Sequence, residues 1–262
     1  MLKKRTKKLF EILFYPLISI LVFLIIWDIG VRNSELSVVM PGPWEVIIQF
    51  LQSFISPIGR YTMPYHMLYS LMRVIPAYIG GSVLGIVLGI MMGWYPIVNR
   101  ILRPIYELIR PIPPIAWIPI SIVWFGIGEG SKWFLIFLAA FVPITLNAYA
   151  GATTVDETLI KCSKMLGASS GQIFKTVVLP YSVPHIFTGL QVGLSASWAT
   201  VVAAEMIRST EGVGWIIISS MDTNNVVQSL VGIVGIGVVG FILAVVMRKI
   251  EEVLCRWNRI ET

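Results

Sequence analysis

An all-α, six-span membrane bundle is the fold class this sequence predicts, and three observations predict it. The 262 residues are 56% hydrophobic and 13% charged, with a mean hydropathy of +0.81. Soluble domains carry about 25% charged residues, so a water-soluble core of this size would leave much of that apolar surface exposed. Six stretches also reach the roughly 20 apolar residues that an α-helical span needs. Finally, Lys and Arg are distributed asymmetrically between alternate connecting segments. No 10-residue alternating pattern suggests the strands of a membrane barrel.

The spans are predicted near Ile12–Gly30, Leu68–Gly93, Ile105–Gly126, Trp133–Ala150, Val183–Ile207 and Val227–Met247. Before the first stands MLKKRTKK, which is like the basic region of a signal peptide. The apolar run behind it is longer than such peptides carry and no small-residue cleavage site follows, so a retained signal anchor is expected. The second span repeats Gly81, Gly85, Gly89 and Gly93. A four-residue spacing puts them on one face, where backbones approach closely. That face serves either static packing or a sliding or dimer contact. Gly189, Gly193 and Ser197 repeat the spacing in the fifth span, and the sixth is rich in glycine. The third span holds Pro111, Pro113, Pro114 and Pro119, so it is either a broken helix facing a pore or a kinked packing element.

With the N-terminus inside, fourteen Lys and Arg fall on inner segments: Lys3, Lys4, Arg5, Lys7, Lys8, Arg100, Arg103, Lys161, Lys164, Lys175, Arg248, Lys249, Arg256 and Arg259. Only Arg32, Arg60, Lys132 and Arg208 fall on outer ones. Basic residues collect on the cytoplasmic side, so both termini are expected there, and the net charge of +6 reflects topology rather than a nucleic-acid partner. Cys162 and Cys255 would then sit in a reducing compartment, and neither belongs to a disulfide framework or zinc pattern. His66 and His185 have no second ligand type at metal spacing and read as hydrogen-bonded or solvated side chains. In the first outer loop, PGPWEVIIQF predicts a proline turn and a short interfacial helix with Trp44, Val46, Ile47 and Phe50 on its apolar side. No internal repeat is visible. One membrane domain over 1–262 is expected, with a core from about 60 to 250 preceded by the first span and outer loop (1–59).

Between the fourth and fifth spans lies an ordered polar insert, about Gly151–Ser182, on the cytoplasmic side. Thr154-Val-Asp-Glu157 and Ser169-Ser-Gly-Gln172 both fit the capping box that opens a helix. Gly167 is the residue type that closes one. Pro180 is expected to stop the second helix, and Pro184 to open the next span. Leu159, Cys162, Met165 and Leu166, then Ile173, Phe174, Val177 and Val178, follow helical spacing. Each short helix therefore has an apolar face that must dock, on the bundle itself, on the bilayer or on a cytoplasmic partner.

The spacing of Gly167, Val177 and Leu179-Pro180 resembles the cytoplasmic loop of ABC importer permeases. Where that family carries Glu-Ala-Ala, this chain has Lys161, Cys162 and Ser163, which removes an acidic residue and reverses a charge. Arg110-Pro-Ile-Pro-Pro-Ile-Ala-Trp-Ile-Pro119, Trp124-Phe-Gly-Ile-Gly-Glu129, Pro143-Ile-Thr-Leu-Asn-Ala-Tyr-Ala-Gly151, Ser197-Trp-Ala-Thr-Val-Val-Ala-Ala-Glu205 and Pro41-Gly-Pro-Trp-Glu-Val46 resemble permeases of the nitrate, sulfonate and taurine type. The resemblance implies a permease subunit in a bacterial cytoplasmic (inner) membrane, moving a small solute, an oxyanion such as a sulfonate, taurine or nitrate. It implies two ABC ATPase subunits, an extracytoplasmic solute-binding protein and a second permease chain, a homodimer that the glycine faces also suggest. ATP and Mg would bind on the ATPase, and no cofactor is expected in this chain. Lys161, Lys164, Leu166, Gly167, Ala168, Ser169, Phe174, Leu179 and Pro180 would couple to that ATPase. Trp117, Ser195, Trp198, Thr200 and Glu205 would line the path or gate.

Charges at depth are expensive and mark function. Glu205 is expected to serve either a cavity or gate or the outer interface, Arg73 to snorkel outward, and Glu107 and Arg110 to pair at i, i+3. Three rival readings fit the sequence less well. Gly193-Leu-Ser195-Ala-Ser197 loosely fits a serine nucleophile, but no histidine follows it as a base. No phosphate-cradling G-x-x-x-x-G-K-[ST] loop is present, which excludes ATP chemistry in this chain. A self-powered secondary transporter would need mid-membrane carboxylates and repeated halves, and would leave the insert unexplained.

Overall fold

The computed structural model describes residues 2–33 and 40–255, with side chains from residue 14 onward. Arg256 and Arg259, the side chains of Lys3, Lys4, Arg5, Lys7 and Lys8, and part of the first outer loop lie outside the described residues. The elements run α1 (Leu2–Arg32), α2 (Pro43–Gln52), α3 (Met63–Trp94), α4 (Pro96–Ile109), a 3₁₀ turn (Pro114–Trp117), α5 (Ile118–Phe125), α6 (Glu129–Thr153), α7 (Glu157–Met165), α8 (Ser170–Ile173), a π turn (Phe174–Val178), α9 (Leu179–Glu205), α10 (Val213–Asp222) and α11 (Val226–Leu254). Among the described residues, five helices are long and apolar enough to cross a membrane, six if the bent pair around Arg110 forms one span.

The chain divides into two compact units. One holds residues 1–63 and 216–235, the other 64–215 and 236–262. In the first unit, Phe14–Arg32 of α1 is apolar and almost bare, with Leu17, Phe23 and Ile26 outward, as a lipid-facing helix requires. The interfacial helix expected in the outer loop is α2, with Pro43 at its start, Val46 buried and Trp44 exposed. Behind it a tight turn bridges Ile58 and Tyr61, and the Met63 N–H donates to the Ser53 carbonyl at 2.9 Å. Ile216 and Ile217 pack against Gly232 of α11. Sequence reading missed α10, although its Val-Gly-Trp-Ile-Ile-Ile run carries an apolar signal.

In the second unit, α6 is the central post. A Cβ added at Gly81 would lie 2.8 Å from the Phe137 carbonyl, one at Gly89 2.5 Å from the Thr145 carbonyl, and one at Gly93 2.5 Å from the Ala152 methyl. The other flank of α6 receives Gly189 at Asn147 and Gly193 at Ile144. The glycine faces of α3 and α9 are thus occupied by α6 of the same chain, and the support they lent to a dimer contact falls away. Such close approach is how helices associate without a hydrophobic driving force. A cluster of Val74, Ala77, Ile136, Leu194, Trp198, Val201, Val213 and Val239 fills the centre.

Two expectations are resolved or corrected here. The third span is broken: α4 and the segment Pro114–Phe125 meet at 89° across Arg110–Pro113. Pro113 sits at φ −63°, ψ 142°, extended, because the residue before a proline is driven from the α region. Pro180 does not stop a helix, and Pro184 does not open one. Residues Ser170–Glu205 form one helical run, with Pro180 in the first turn of α9 just after the π turn. A proline inside such a run offers no N–H to the preceding turn, and here that turn is the π turn Phe174–Val178.

Candidate functional site

The polar insert is a fully specified turn. Thr154 does not cap α7, because its hydroxyl turns back to the Ala150 carbonyl at 2.9 Å. Asp156 takes that place, accepting from the Thr158 N–H at 2.8 Å. That N–H, then the Thr158 hydroxyl, holds the Asp156 carboxyl below its usual range. Lys161 pairs with Glu157 at 2.7 Å, which lowers the Glu157 carboxyl and raises the Lys161 ammonium. Lys161 is therefore bound within its own helix.

At the far end Gly167 adopts φ +85°. Its N–H donates to the Lys164 carbonyl at 2.9 Å, and the Ala168 N–H to the Ser163 carbonyl at 3.1 Å. Both bonds together define a Schellman closure. Ser169 then opens α8 with a complete capping box: its N–H donates to Gln172 Oε1 at 2.8 Å and its Oγ accepts from the Gln172 N–H at 3.4 Å. One side of the insert is anchored. Ile173 and Val178 are buried with Ala152 and Val155, and Phe174 rests against Trp94 at 5.8 Å and near Tyr95. Leu179 is half-buried and Pro180 exposed. The other side points away, with Met165 81% and Leu166 88% exposed beside Lys164. Two large apolar side chains are thus held out into solvent at a knob formed by the hydrogen-bonded turn.

A second centre is a buried charge junction. Arg73 does not snorkel. Its Nε and Nη2 grip Glu129 at 2.7 and 2.9 Å, Nη1 reaches Glu205 and the Glu211 carbonyl at 2.9 Å each, and Nη2 lies 3.3 Å from Glu211 Oε1. Glu205 is fully buried and also accepts from the Ser70 hydroxyl at 2.8 Å and the Gly214 N–H at 3.0 Å. Ser70 accepts from the Val213 N–H, and His66 Nδ1 from the Gly212 N–H at 3.1 Å, while its ring stacks on Trp215. Lys132 adds a bond to Glu129 at 2.9 Å. Gly212, at φ +114°, is required: a Cβ there would overlap the Glu205 carboxyl. The junction fastens the end of α9 to the starts of α3, α6 and α10. Sequence reading singled out Arg73 and Glu205 but not Ser70, Glu129, Lys132 or Glu211. The available signal was their opposite charge at equivalent ends of two spans.

The residues expected on the path are dispersed. Ser195 and Trp198 line one cavity of about 300 Å³ between α9 and α11, together with Gln191, whose amide donates to Glu251 at 2.6 Å. The Trp198 indole N–H is taken by the Ile236 carbonyl. Trp117 lines a separate cavity of about 170 Å³ beside the break, with Arg110, Pro111, Pro113 and Ala196. Thr200 is buried, and Glu205 belongs to the junction. Glu107 and Arg110 pair at 3.2 Å, as their spacing predicts.

Residues 81–254 match the model of the family described as binding-protein-dependent transport system inner membrane component. The chain is 36% identical to the taurine transport system permease protein TauC of Escherichia coli (strain K12), over 88% of this chain and 85% of that one. It is 31% identical to the nitrate import permease protein NrtB of Synechocystis sp., over 87% and 84%. It is 32% identical to the bicarbonate transport system permease protein CmpB of Synechococcus elongatus, over 92% and 89%. In fold it is similar to a chain of the MetNI methionine ABC transporter solved in inward-facing conformations, with a TM-score of 0.62 at 18% identity over 72% of this chain and 94% of that one.

Proposed function

The chain belongs to the family of binding-protein-dependent transport system inner membrane components, and from that premise we propose that it is the permease of an ATP-driven importer for a small oxyanion. Both termini and the α7–α8 insert face the cytoplasm. Two copies of the chain form the path, two ATPase subunits bind ATP and Mg, and an extracytoplasmic protein delivers the solute. The permeases named for taurine, nitrate and bicarbonate support the solute class. Lys161, Lys164, Leu166, Gly167, Ala168, Ser169, Phe174, Leu179 and Pro180 form the coupling element, and Ser195, Trp198 and Trp117 the cavity walls.

The observation that carries this reading is the insert. Its turn is closed on both sides by backbone and side-chain hydrogen bonds, it is anchored through Phe174, and it holds Met165 and Leu166 into solvent. An element that only lay on a bilayer would need no such closure. A stiff knob passes a displacement from a partner to the helix behind it, as rigid-body switching requires. Glu205 and Thr200, near the opposite end of α9, would then report on gating through the junction.

The test is purification in mild detergent followed by mass spectrometry, together with Gly167→Val. Near one-to-one recovery of a Walker-motif ATPase, and a variant that inserts normally but uncouples hydrolysis from transport, are expected. A chain that purifies alone and moves solute in liposomes without ATP would replace this reading with a secondary transporter.

A further inference from the structure

The charged face of α4 runs beside α6 from its end to its middle, whereas the sequence predicts Glu107 and Arg110 near the inner end of a span. The Tyr106 hydroxyl donates to the Val142 carbonyl at 2.9 Å, and Arg103 reaches the Tyr149 hydroxyl at 3.3 Å. Gly93, just before α4, abuts Ala152. Ten residues lead from Pro96 to Tyr106, and ten lead back from Ala152 to Val142, about 15 Å in either helix. α4 therefore climbs alongside α6 from its end to its middle, and Arg110 lies one turn beyond, in the cavity with Leu138 and Ala139.

At about 100° per residue, α4 has three faces. Tyr106, Asn99 and Leu102 meet the bundle. Ile97, Ile101, Ile105 and Leu108 form an exposed apolar stripe. Arg100, Arg103, Glu107 and Arg110 form the third, and the last three side chains are 53%, 45% and 44% exposed. Charged groups at that depth face water or a polar cavity rather than lipid. Three guanidiniums oppose one carboxylate, and Glu107 lies 3.9 Å from Arg103 and 3.2 Å from Arg110, so the surplus is cationic.

We infer that this face lines the aqueous solute path and that Arg103 and Arg110 draw an anionic solute along it to the break at Pro111–Pro114. The inference rests on the permease reading and deepens it, giving α4 rather than α9 the residues that set the sign of the solute. The apolar stripe faces lipid, and the bend puts the cavity of Trp117 at the head of the charged face.

The experiment uses the full chain in its membrane with Cys162→Ser and Cys255→Ser, carrying one added thiol at a time. The probes are the anionic sulfonatoethyl and cationic trimethylammonioethyl methanethiosulfonates, each rate normalised to that of a free thiol in solution. With Glu107→Cys, the anionic reagent is expected to react faster by about ten-fold, as two nearby guanidiniums in a partly aqueous site dictate. Adding Arg110→Gln should reduce that ratio several-fold, and Arg110→Lys should keep most of it. Leu108→Cys should stay unreactive to both. Equal rates at Glu107→Cys would mean a wet face that does not select anions, and would overturn the solute assignment. No reaction with either reagent would mean a face covered by lipid or by a second copy, and would overturn the path. Either failure with an ATPase still co-purifying leaves the importer reading intact, whereas loss of the ATPase removes that reading without touching the labelling result.

Discussion

Replacing Arg73 with glutamine should be among the most damaging single changes in the chain. The guanidinium makes contacts to three carboxylates, and Glu205, one of them, has no exposed surface. Without Arg73 that carboxylate keeps only the Ser70 hydroxyl and the Gly214 N–H. Removing one partner of a buried ion pair leaves an uncompensated charge and costs about 3–5 kcal/mol, a large share of the roughly 5–15 kcal/mol that holds a typical protein. Glu205→Gln should cost less, about 1–3 kcal/mol, because Arg73 retains its two-pronged grip on Glu129 and its bond to the Glu211 carbonyl. The double variant should be more stable than the sum of the two singles by about 0.5–3 kcal/mol, since the second change removes the orphaned charge. Unfolding in mixed micelles, followed by tryptophan fluorescence, reads all three, and Trp215 stacked on His66 lies within the junction. Strict additivity, or an Arg73→Gln variant within about 1 kcal/mol of the native chain, would refute a coupled buried junction.

Further outcomes follow from the packing and the insert. Gly89→Ala puts a methyl 2.5 Å from the Thr145 carbonyl, whereas at Gly80 the nearest atom is 3.8 Å away. The first should destabilise by about 1–3 kcal/mol through overpacking and the second should not, as thermal unfolding in detergent would register. Ser169→Ala removes half of the capping box and should cost the insert about 1 kcal/mol of local stability, seen as faster amide exchange over Ser170–Ile173 with α6 and α9 unchanged. Asp156 is held below its usual value by the Thr158 N–H, so its cap acts fully above pH 3.8 and fades as pH falls through the lower folded value. The difference in α7 exchange protection between the native chain and Asp156→Ala should accordingly be wide at neutral pH and close below 3.8.

The spans were legible because length and apolarity are local properties. The glycine spacing likewise disclosed a close-packed face, but not what it packs on: a period of four says that a backbone approaches and is silent on whose. Here the partner is α6, with Ala140, Thr145 and Ala148 of the same chain. The cap of α7 failed for a nearby reason. Thr154 and Asp156 both offer oxygens in the right window, and the contest is settled by the end of α6, whose Ala150 carbonyl takes the Thr154 hydroxyl. The junction was least legible, since Arg73 and Glu205 stand 132 residues apart and only the fold brings them to 2.9 Å. The break at Arg110–Pro113 was legible as an alternative, four prolines marking where but not how far the helix turns.

Regularity and irregularity in the second unit divide along one helix. From Ser170 to Glu205 the chain is a single helical run of 36 residues, about 54 Å long at the α-helical rise. At its start lies the turn that carries Met165 and Leu166, and at its end lies Glu205. In between, Gly189 and Gly193 seat it on α6 so closely that added methyls would stand 2.8 Å from Asn147 and Ile144. A helix so seated slides or tilts as a unit before it bends, because opening the seam forfeits dispersion over its whole length. Its one departure from α geometry is the π turn at Phe174–Val178, directly behind the insert, and π turns recur at functional sites. A push on the knob therefore has two outlets: the π turn yields locally, or the full run moves and loads the Glu205–Arg73 junction. Phe174, braced against Trp94 at 5.8 Å, opposes the first. The second would couple the insert to the far end through one continuous helix, with no relay of side chains between them.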